Sequence, residues 1–169
     1  MPRYVNFLDV CKDVTKTARK IPQAEYLPLG KYKIFDQGKN YIGGFTNDNS
    51  GIAEQFPYII FGDHTRVLKF VNEPCFIGAD GVKLLKVVNN NFIPEYVYYV
   101  LEANPVENQG YSRHFKFLKE KSIPVKSTTE QQAIVAELKK LNKAKEHKNC
   151  ILKQLDELVK SRFIGQEVA

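Results

Sequence analysis

The sequence predicts an α/β domain with a mixed sheet and few helices, followed by one long C-terminal α-helix. Three short segments, at 58–62, 66–71 and 81–88, are rich in β-branched and aromatic residues and are bounded by Gly, Pro and Asn, which predicts strands. Near residue 127 the apolar residues change to helical spacing, and no Gly or Pro interrupts them until Gly165. We therefore expect a first domain at 1–122 and a helical region at 123–169.

Two shorter helices are predicted in the first part. One is the segment FLDVCKDV, residues 7–14. The other is IPEYVYYVLEAN, in which Pro94 and Glu95 suit the first turn of a helix. Its length also fits a buried strand, but the sequence Leu101-Glu102-Ala103 favours a helix.

The long helix begins with a capping-box pattern. Ser127 or Thr128 can be the N-cap, and Glu130 or Gln131 follows three positions later. The predicted helix runs unbroken from about Thr128 to Arg162 and, at 1.5 Å per residue, is about 50 Å long.

Apolar residues of this helix share one heptad seam, provided that Lys145 and Lys148 occupy its central core positions. The apolar seam residues are Ile134, Leu138, Leu141, Leu152, Leu155 and Val159. Because a helix of this length gains most of its stability by burying such a stripe, we expect an antiparallel coiled coil with a second copy of the chain, which makes a homodimer. The alternative is a helix that folds back along its own domain.

Composition limits the class of protein. The 169 residues are 43% hydrophobic, enough for one ordinary core, and the formal net charge of +6 favours an anionic partner, nucleic acid first. Cys11, Cys75 and Cys150 form no C-x-x-C pair, and the N-terminus does not resemble a signal peptide, so we expect reduced thiols in a cytoplasmic protein. No apolar stretch approaches 18 residues, so no membrane span is expected.

Enzyme motifs are not evident. No G-x-G-x-x-G follows a strand, and the paired-proline signature of amino-methyltransferases is absent. The Glu-x-Lys matches at 137–139 and 146–148 fall in the predicted helix, and the histidines lack metal-ligand spacing. We expect no catalytic residues, no metal and no cofactor, although an unrecognised enzyme stays open.

The run IPVKSTTEQQAIVAELKKLNKAKEHKNCILKQLDELVKSRF, residues 123–163, resembles the central conserved region of type I restriction-modification specificity subunits. The matching features are the Pro before the helix, the Glu130-Gln131 step, Ile134, Leu138 and the ending LDELVKSRF. Upstream, YLPLGKYKIFDQGKNYIGGF, IIFGDHTRVLKFVNEPCFIGADGVKLL and NQGYSRHFKFLKEKSIPV are similar to segments of that family's target recognition domain.

The resemblance implies a non-catalytic protein whose recognition domain reads a few base pairs of double-stranded DNA. It also implies adenine-N6 methyltransferase (modification) subunits as partners and, in a full complex, restriction motor subunits. A usual member has two recognition domains and two helical regions, so the chain is expected to correspond to half of one, natural or truncated. A second hypothesis is a subunit-exchange or interaction protein that joins a host complex without reading DNA.

Three segments have side chains suited to DNA, since base edges are read by amides, guanidinium groups and hydroxyls, and phosphates by Lys and Arg. The first segment, 37–51, offers Lys39, Asn40, Tyr41, Thr46, Asn47 and Asn49, and a solvated hairpin loop is its alternative reading. The second, 62–69, offers His64, Arg66 and Lys69, with a structural role favoured for Asp63. The third, 107–116, is the leading candidate and offers Gln109, Tyr111, Ser112, Arg113, His114 and Lys116.

Overall fold

The computed structural model describes residues 3–110 and 112–164, and the chain divides into two compact units between Gln131 and Gln132. In chain order the described strands are β1 (Tyr4–Asn6), β2 (Cys11–Asp13), β3 (Lys20–Ile21), β4 (Tyr32–Phe35), β5 (Gly44–Thr46), β6 (Tyr58–Gly62), β7 (Leu68–Val71), β8 (Phe76–Gly78), β9 (Val82–Val87) and β10 (Ser122–Pro124). The described α-helices are α1 (Phe7–Val10), α2 (Pro94–Ala103), α3 (Phe115–Leu118) and α4 (Thr128–Ile164). The predicted mixed α/β class with a long C-terminal helix is confirmed.

One sheet of the first unit is antiparallel, in the order β2-β9-β6-β7. Strand β6 is buried along its whole length, which explains why YIIFG is apolar without alternation. The three predicted strands are confirmed as β6, β7 and β9. Strand β7 begins at Leu68 instead of residue 66, because Arg66 adopts a φ of 63° in the turn before it.

The helix predicted over 7–14 is half as long as expected. Helix α1 ends at Val10, and Cys11, Lys12 and Asp13 pair with β9 as strand β2. Helices shorter than about 12 residues are marginal without tertiary support, whereas the ladder with β9 gives these residues backbone partners and buries Cys11. The predicted helix α2 is confirmed, with Pro94 in its first turn.

A second sheet has the order β3-β8-β4-β5, in which β8 is parallel to β3 and β4, and β4 and β5 are antiparallel. The two sheets share a core cluster that includes Phe35, Ile60, Val71, Ile77 and Leu84. This shared core fixes the loop that follows β4 against the turn that follows β6. A separate two-stranded ladder joins β1 to β10.

Helix α4 begins with the capping box that the sequence predicts. Glu130 Oε2 accepts hydrogen bonds from the N–H of Ser127 at 2.9 Å and from its hydroxyl at 2.8 Å, and Ser127 Oγ accepts from the Glu130 N–H at 3.3 Å. The hydrogen bonds from the Ser127 side chain and backbone lower the pKa of Glu130. The helix is continuous for 37 residues, about 55 Å, which confirms the expected unbroken run.

The side chain of Gln131 is fully buried beside this cap. Its Oε1 accepts the N–H of Ile93 at 2.8 Å, and its Nε2 donates to the carbonyls of Asn91 at 2.8 Å and Lys126 at 2.9 Å. One amide therefore serves three backbone groups in two segments.

We predict that Gln131→Leu lowers the free energy of unfolding by about 2 kcal/mol, because it leaves partly buried backbone groups without partners. The neighbouring exposed residue provides a matched control, Gln132→Leu, which should change stability by no more than about 0.5 kcal/mol. Urea denaturation of both variants measures the difference. Equal midpoints would contradict a stabilising role for the hydrogen bonds of Gln131 to the two backbone segments.

The thiols of the chain differ in accessibility. Cys11 and Cys75 are buried, and burial raises the pKa of each to about 12, whereas Cys150 is exposed. Because the thiolate is the reactive form, we predict that a thiol reagent at pH 8 modifies Cys150 and spares the other two in the folded protein. Mass spectrometry before and after denaturation should find one and then three adducts, and three adducts on the native chain would refute the burial.

Candidate nucleic-acid interface

The turn between β6 and β7 is organised by Asp63, which is 4% exposed. Its N–H donates to the carbonyl of Gly81 at 2.6 Å, and its Oδ1 accepts the N–H of Phe115 at 2.7 Å. The Phe115 N–H opens helix α3, where backbone donors lack partners within the helix. Asp63 thus joins the β6–β7 turn to the β8–β9 turn and to α3, and the structural role favoured for it is confirmed.

The imidazole of His114 is 1% exposed and forms a hydrogen bond on each side. Its Nε2 accepts the N–H of Gln109 at 3.2 Å, and its Nδ1 lies 3.0 Å from the carbonyl oxygen of Asp63. Because Nε2 accepts, the ring in this arrangement is neutral and its Nδ1–H donates to Asp63. The ring therefore holds the loop between α2 and α3 against the β6–β7 turn.

The loop between β4 and β5 reaches the same turn through Gln37. The Thr65 hydroxyl donates to the Gln37 carbonyl at 2.6 Å, and the His64 N–H donates to Gln37 Oε1 at 3.3 Å. Gly81 has a φ of +59°, and a Cβ there would lie 2.8 Å from both Gln37 Oε1 and His64 Cδ2. Glycine is needed at this position for both its conformation and the close approach.

These contacts bring parts of the three candidate segments together. We call the assembly the three-loop junction: the β4–β5 loop (36–43), the β6–β7 turn (63–67) and the described residues of the α2–α3 loop (104–110 and 112–114). Candidate side chains exposed on it or beside it in α3 are Lys39, Asn40, Tyr41, His64, Gln109, Arg113 and Lys116. Tyr111 lies outside the described residues.

Two polar atoms of the junction are buried without a partner. They are Arg66 Nε and Ser112 Oγ, the buried side-chain atoms of the described residues that lack a hydrogen bond. The same guanidinium donates through Nη1 to the carbonyl of Val106 at 3.3 Å, so Arg66 spans the turn and the α2–α3 loop. Unsatisfied buried groups are rare in folded proteins, and here both lie in the junction.

Lys69 and His114 are buried, so their side chains do not face solvent in this structure. Lys69 is 3% exposed, and its Nζ lies 3.3 Å from Asp36 Oδ1. Desolvation lowers the pKa of Lys69, and the negative charge of Asp36 opposes that shift. Sequence reasoning missed this burial because each side chain is held by a residue far away in the chain, Asp36 for Lys69 and Asp63 for His114. It missed Gln37 for the same reason.

Thr46, Asn47 and Asn49 are not brought to the junction. Thr46 is buried at the end of β5, and Asn47 Oδ1 accepts the Lys31 N–H at 3.0 Å, at the end of the β4–β5 ladder opposite to Lys39. The length of that ladder, at 3.4 Å per residue, separates the two groups by about 10 Å.

The second unit presents an apolar stripe along its helix. Leu141, Leu152, Leu155 and Val159 are about half exposed or more, whereas Ile134 and Leu138 are partly buried. Residues 142–150 between them are exposed and mostly polar. The apolar side chains thus form two groups on the helix, separated by a polar section, and exposed apolar patches are typical of interaction sites.

No group of three or more His, Cys, Asp or Glu side chains within residues 3–110 and 112–164 is arranged to hold a metal ion. None of the helices in these ranges combines the length and apolarity needed to cross a membrane.

No protein-family model and no curated protein matches the sequence. Solved structures do match. A chain from a type I R-M system, solved in a study of complex assembly and conformational transition, superposes with a TM-score of 0.60 at 19% identity, over 91% of this chain and 43% of that chain. The HsdS subunit from Thermoanaerobacter tengcongensis gives a TM-score of 0.56 at 20% identity, over 85% of this chain and 38% of that chain.

The S subunit of a type I restriction-modification system from M. genitalium gives a TM-score of 0.61 at 16% identity, over 86% of this chain and 41% of its own. This chain therefore spans between 38% and 43% of the length of the solved chains that it matches. The fold of the chain is that of the S subunits of type I restriction-modification systems.

Proposed function

We propose that the chain is a DNA-sequence specificity subunit of a type I restriction-modification system and that it reads a half-site through the three-loop junction. The observation that carries the proposal is the convergence of three polar loops, held by buried Asp63 and His114. A rigid frame with exposed, chemically varied side chains is what base reading needs. The net charge of +6 suits the anionic partner.

The exposed side chains of the junction divide by chemistry. Arg113 can form a bidentate pair with guanine, and the amides of Asn40 and Gln109 can pair with adenine. Lys39 and Lys116 supply phosphate contacts, which set affinity and register without reading sequence.

In this proposal, other subunits carry out the catalysis. The chain recruits adenine-N6 methyltransferase subunits and, in a restriction complex, motor subunits. Two observations support this division: the sequence contains no recognised catalytic motif, and one of the matching structures concerns complex assembly of a type I R-M system.

The apolar stripe of the long helix supports a homodimer. An antiparallel pair can be aligned so that Ile134 faces Val159 of the second copy, and the same alignment sets Leu138 opposite Leu155 and Leu141 opposite Leu152. Lys145 then faces Lys148 near the two-fold axis, where like charges weaken the packing. An isologous dimer of this kind reads a palindrome of two half-sites with an unread spacer.

A second candidate function is an interaction protein that enters a host complex through the helix without reading DNA. The exposed apolar stripe favours it equally. The two functions differ in whether the junction residues discriminate between DNA sequences.

We predict that Arg113→Ala reduces sequence discrimination because a bidentate contact with a base is lost. The difference in binding free energy between the correct and a wrong base pair should fall by about 1–3 kcal/mol. The full chain is used to select duplexes from a randomised pool, and the affinities of the parent and the variant for the enriched duplex and a scrambled one are then compared. Lys148→Ala, which removes one exposed cation from the long helix, is the control and should leave the ratio of the two affinities unchanged. If the parent enriches no sequence, the reading function is refuted and the interaction protein is favoured.

We predict that Leu138→Glu with Leu155→Glu yields monomers, because each helix pairing would place carboxylates in an apolar seam. Analytical ultracentrifugation at micromolar concentration should show a dimer for the parent and a monomer for the variant. Circular dichroism should show that the first unit of the variant remains folded. Sedimentation of the parent as a monomer would refute the homodimer.

A further inference from the structure

We propose that His114 and Asp63 are positioning residues that give the three-loop junction its sequence discrimination without touching DNA themselves. The inference rests on the proposed reading function. It assigns the role to two buried residues, whereas the direct contacts with DNA belong to exposed ones.

The His114 ring links the β6–β7 turn to the α2–α3 loop through two hydrogen bonds. On one side, Nδ1–H donates to the Asp63 carbonyl at 3.0 Å, and on the other, Nε2 accepts the Gln109 N–H at 3.2 Å. Asp63 in turn holds Gly81 and Phe115 through bonds of 2.6 Å and 2.7 Å. Arg113 therefore lies next to a buried anchor on its C-terminal side, and Gln109 is held by the same anchor.

The ring is suited to this task because it has a donor and an acceptor on opposite sides. An asparagine amide can replace the Nδ1 donor but is too short to reach the Gln109 N–H. A glutamine can present an oxygen near the position of Nε2 and so keep the bond to Gln109. The two substitutions therefore distinguish the hydrogen bond to the Gln109 N–H, which fixes the loop, from the hydrogen bond to the Asp63 carbonyl.

Loss of the hydrogen bond between His114 and Gln109 should weaken sequence-specific binding more than nonspecific binding to phosphates. Base reading depends on placement to within about 0.5 Å, whereas phosphate attraction acts over a Debye length of about 8–10 Å. A protein with a more mobile loop should therefore keep its nonspecific affinity for duplex DNA and lose its preference for one sequence.

The test compares His114→Asn and His114→Gln in the full chain. Selection from a randomised duplex pool by the parent supplies the enriched duplex, and a scrambled duplex is the second probe. We expect His114→Asn to reduce the ratio of the two affinities about tenfold, the upper range of one hydrogen bond, with affinity for the scrambled duplex unchanged. His114→Gln should restore most of the ratio.

Amide hydrogen exchange of Gln109, followed by NMR without DNA, should be about tenfold faster in His114→Asn, on the same scale of one hydrogen bond, and close to the parent rate in His114→Gln. Leu101→Val, in the buried face of α2, is the control for general destabilisation: it should lower Tm and leave the affinity ratio as in the parent. The positioning role is overturned if His114→Asn keeps the parent ratio, if the Gln109 amide exchanges at the parent rate, or if Leu101→Val lowers the ratio equally. A parent that enriches no sequence overturns the reading function, and the positioning role with it.

Discussion

The hydrogen bonds of Asp63 are the constraint on which the surface of the first unit depends. A carboxylate and a peptide group buried at this depth must be paired, since an unpaired buried polar group costs about 1–3 kcal/mol. The partners come from the β8–β9 turn, the α2–α3 loop and the start of α3. The hydrogen bonds of this one buried residue therefore join it to segments 18 and just over 50 positions away, and the exposed side chains of the junction are held together as a result.

Much of the fold could be predicted from local pattern. The strands β6, β7 and β9 are short, β-branched and bounded by turn residues, and the capping box of Ser127 and Glu130 marks the start of α4. These signals are local, so the sequence contains them directly. The segment at 11–13 was mistaken for helix because its strand partner, β9, is about 70 positions away and no local pattern reveals it.

The candidate site was predictable in part, and the reason is again the range of the interactions. Polar loops can be recognised by composition, but exposure within them cannot. Lys69 and His114 look like surface residues in the sequence, yet one pairs with Asp36 and the other with the Asp63 carbonyl in the interior. Gln37 carries no signal at all, because its contacts with His64 and Thr65 exist only after the two sheets have packed on a common core.

Most atoms that hold the junction belong to the backbone: the carbonyls of Asp63 and Gly81 and the amides of Gln109 and Phe115. A backbone atom is supplied by any residue that tolerates the conformation. The exposed side chains at positions 39, 40 and 113 can therefore be exchanged while the backbone contacts persist, so long as Gln37, Asp63, Thr65, Gly81 and His114 are kept. Under the proposed reading function, libraries at those three positions would yield variants with other DNA targets on the same fold.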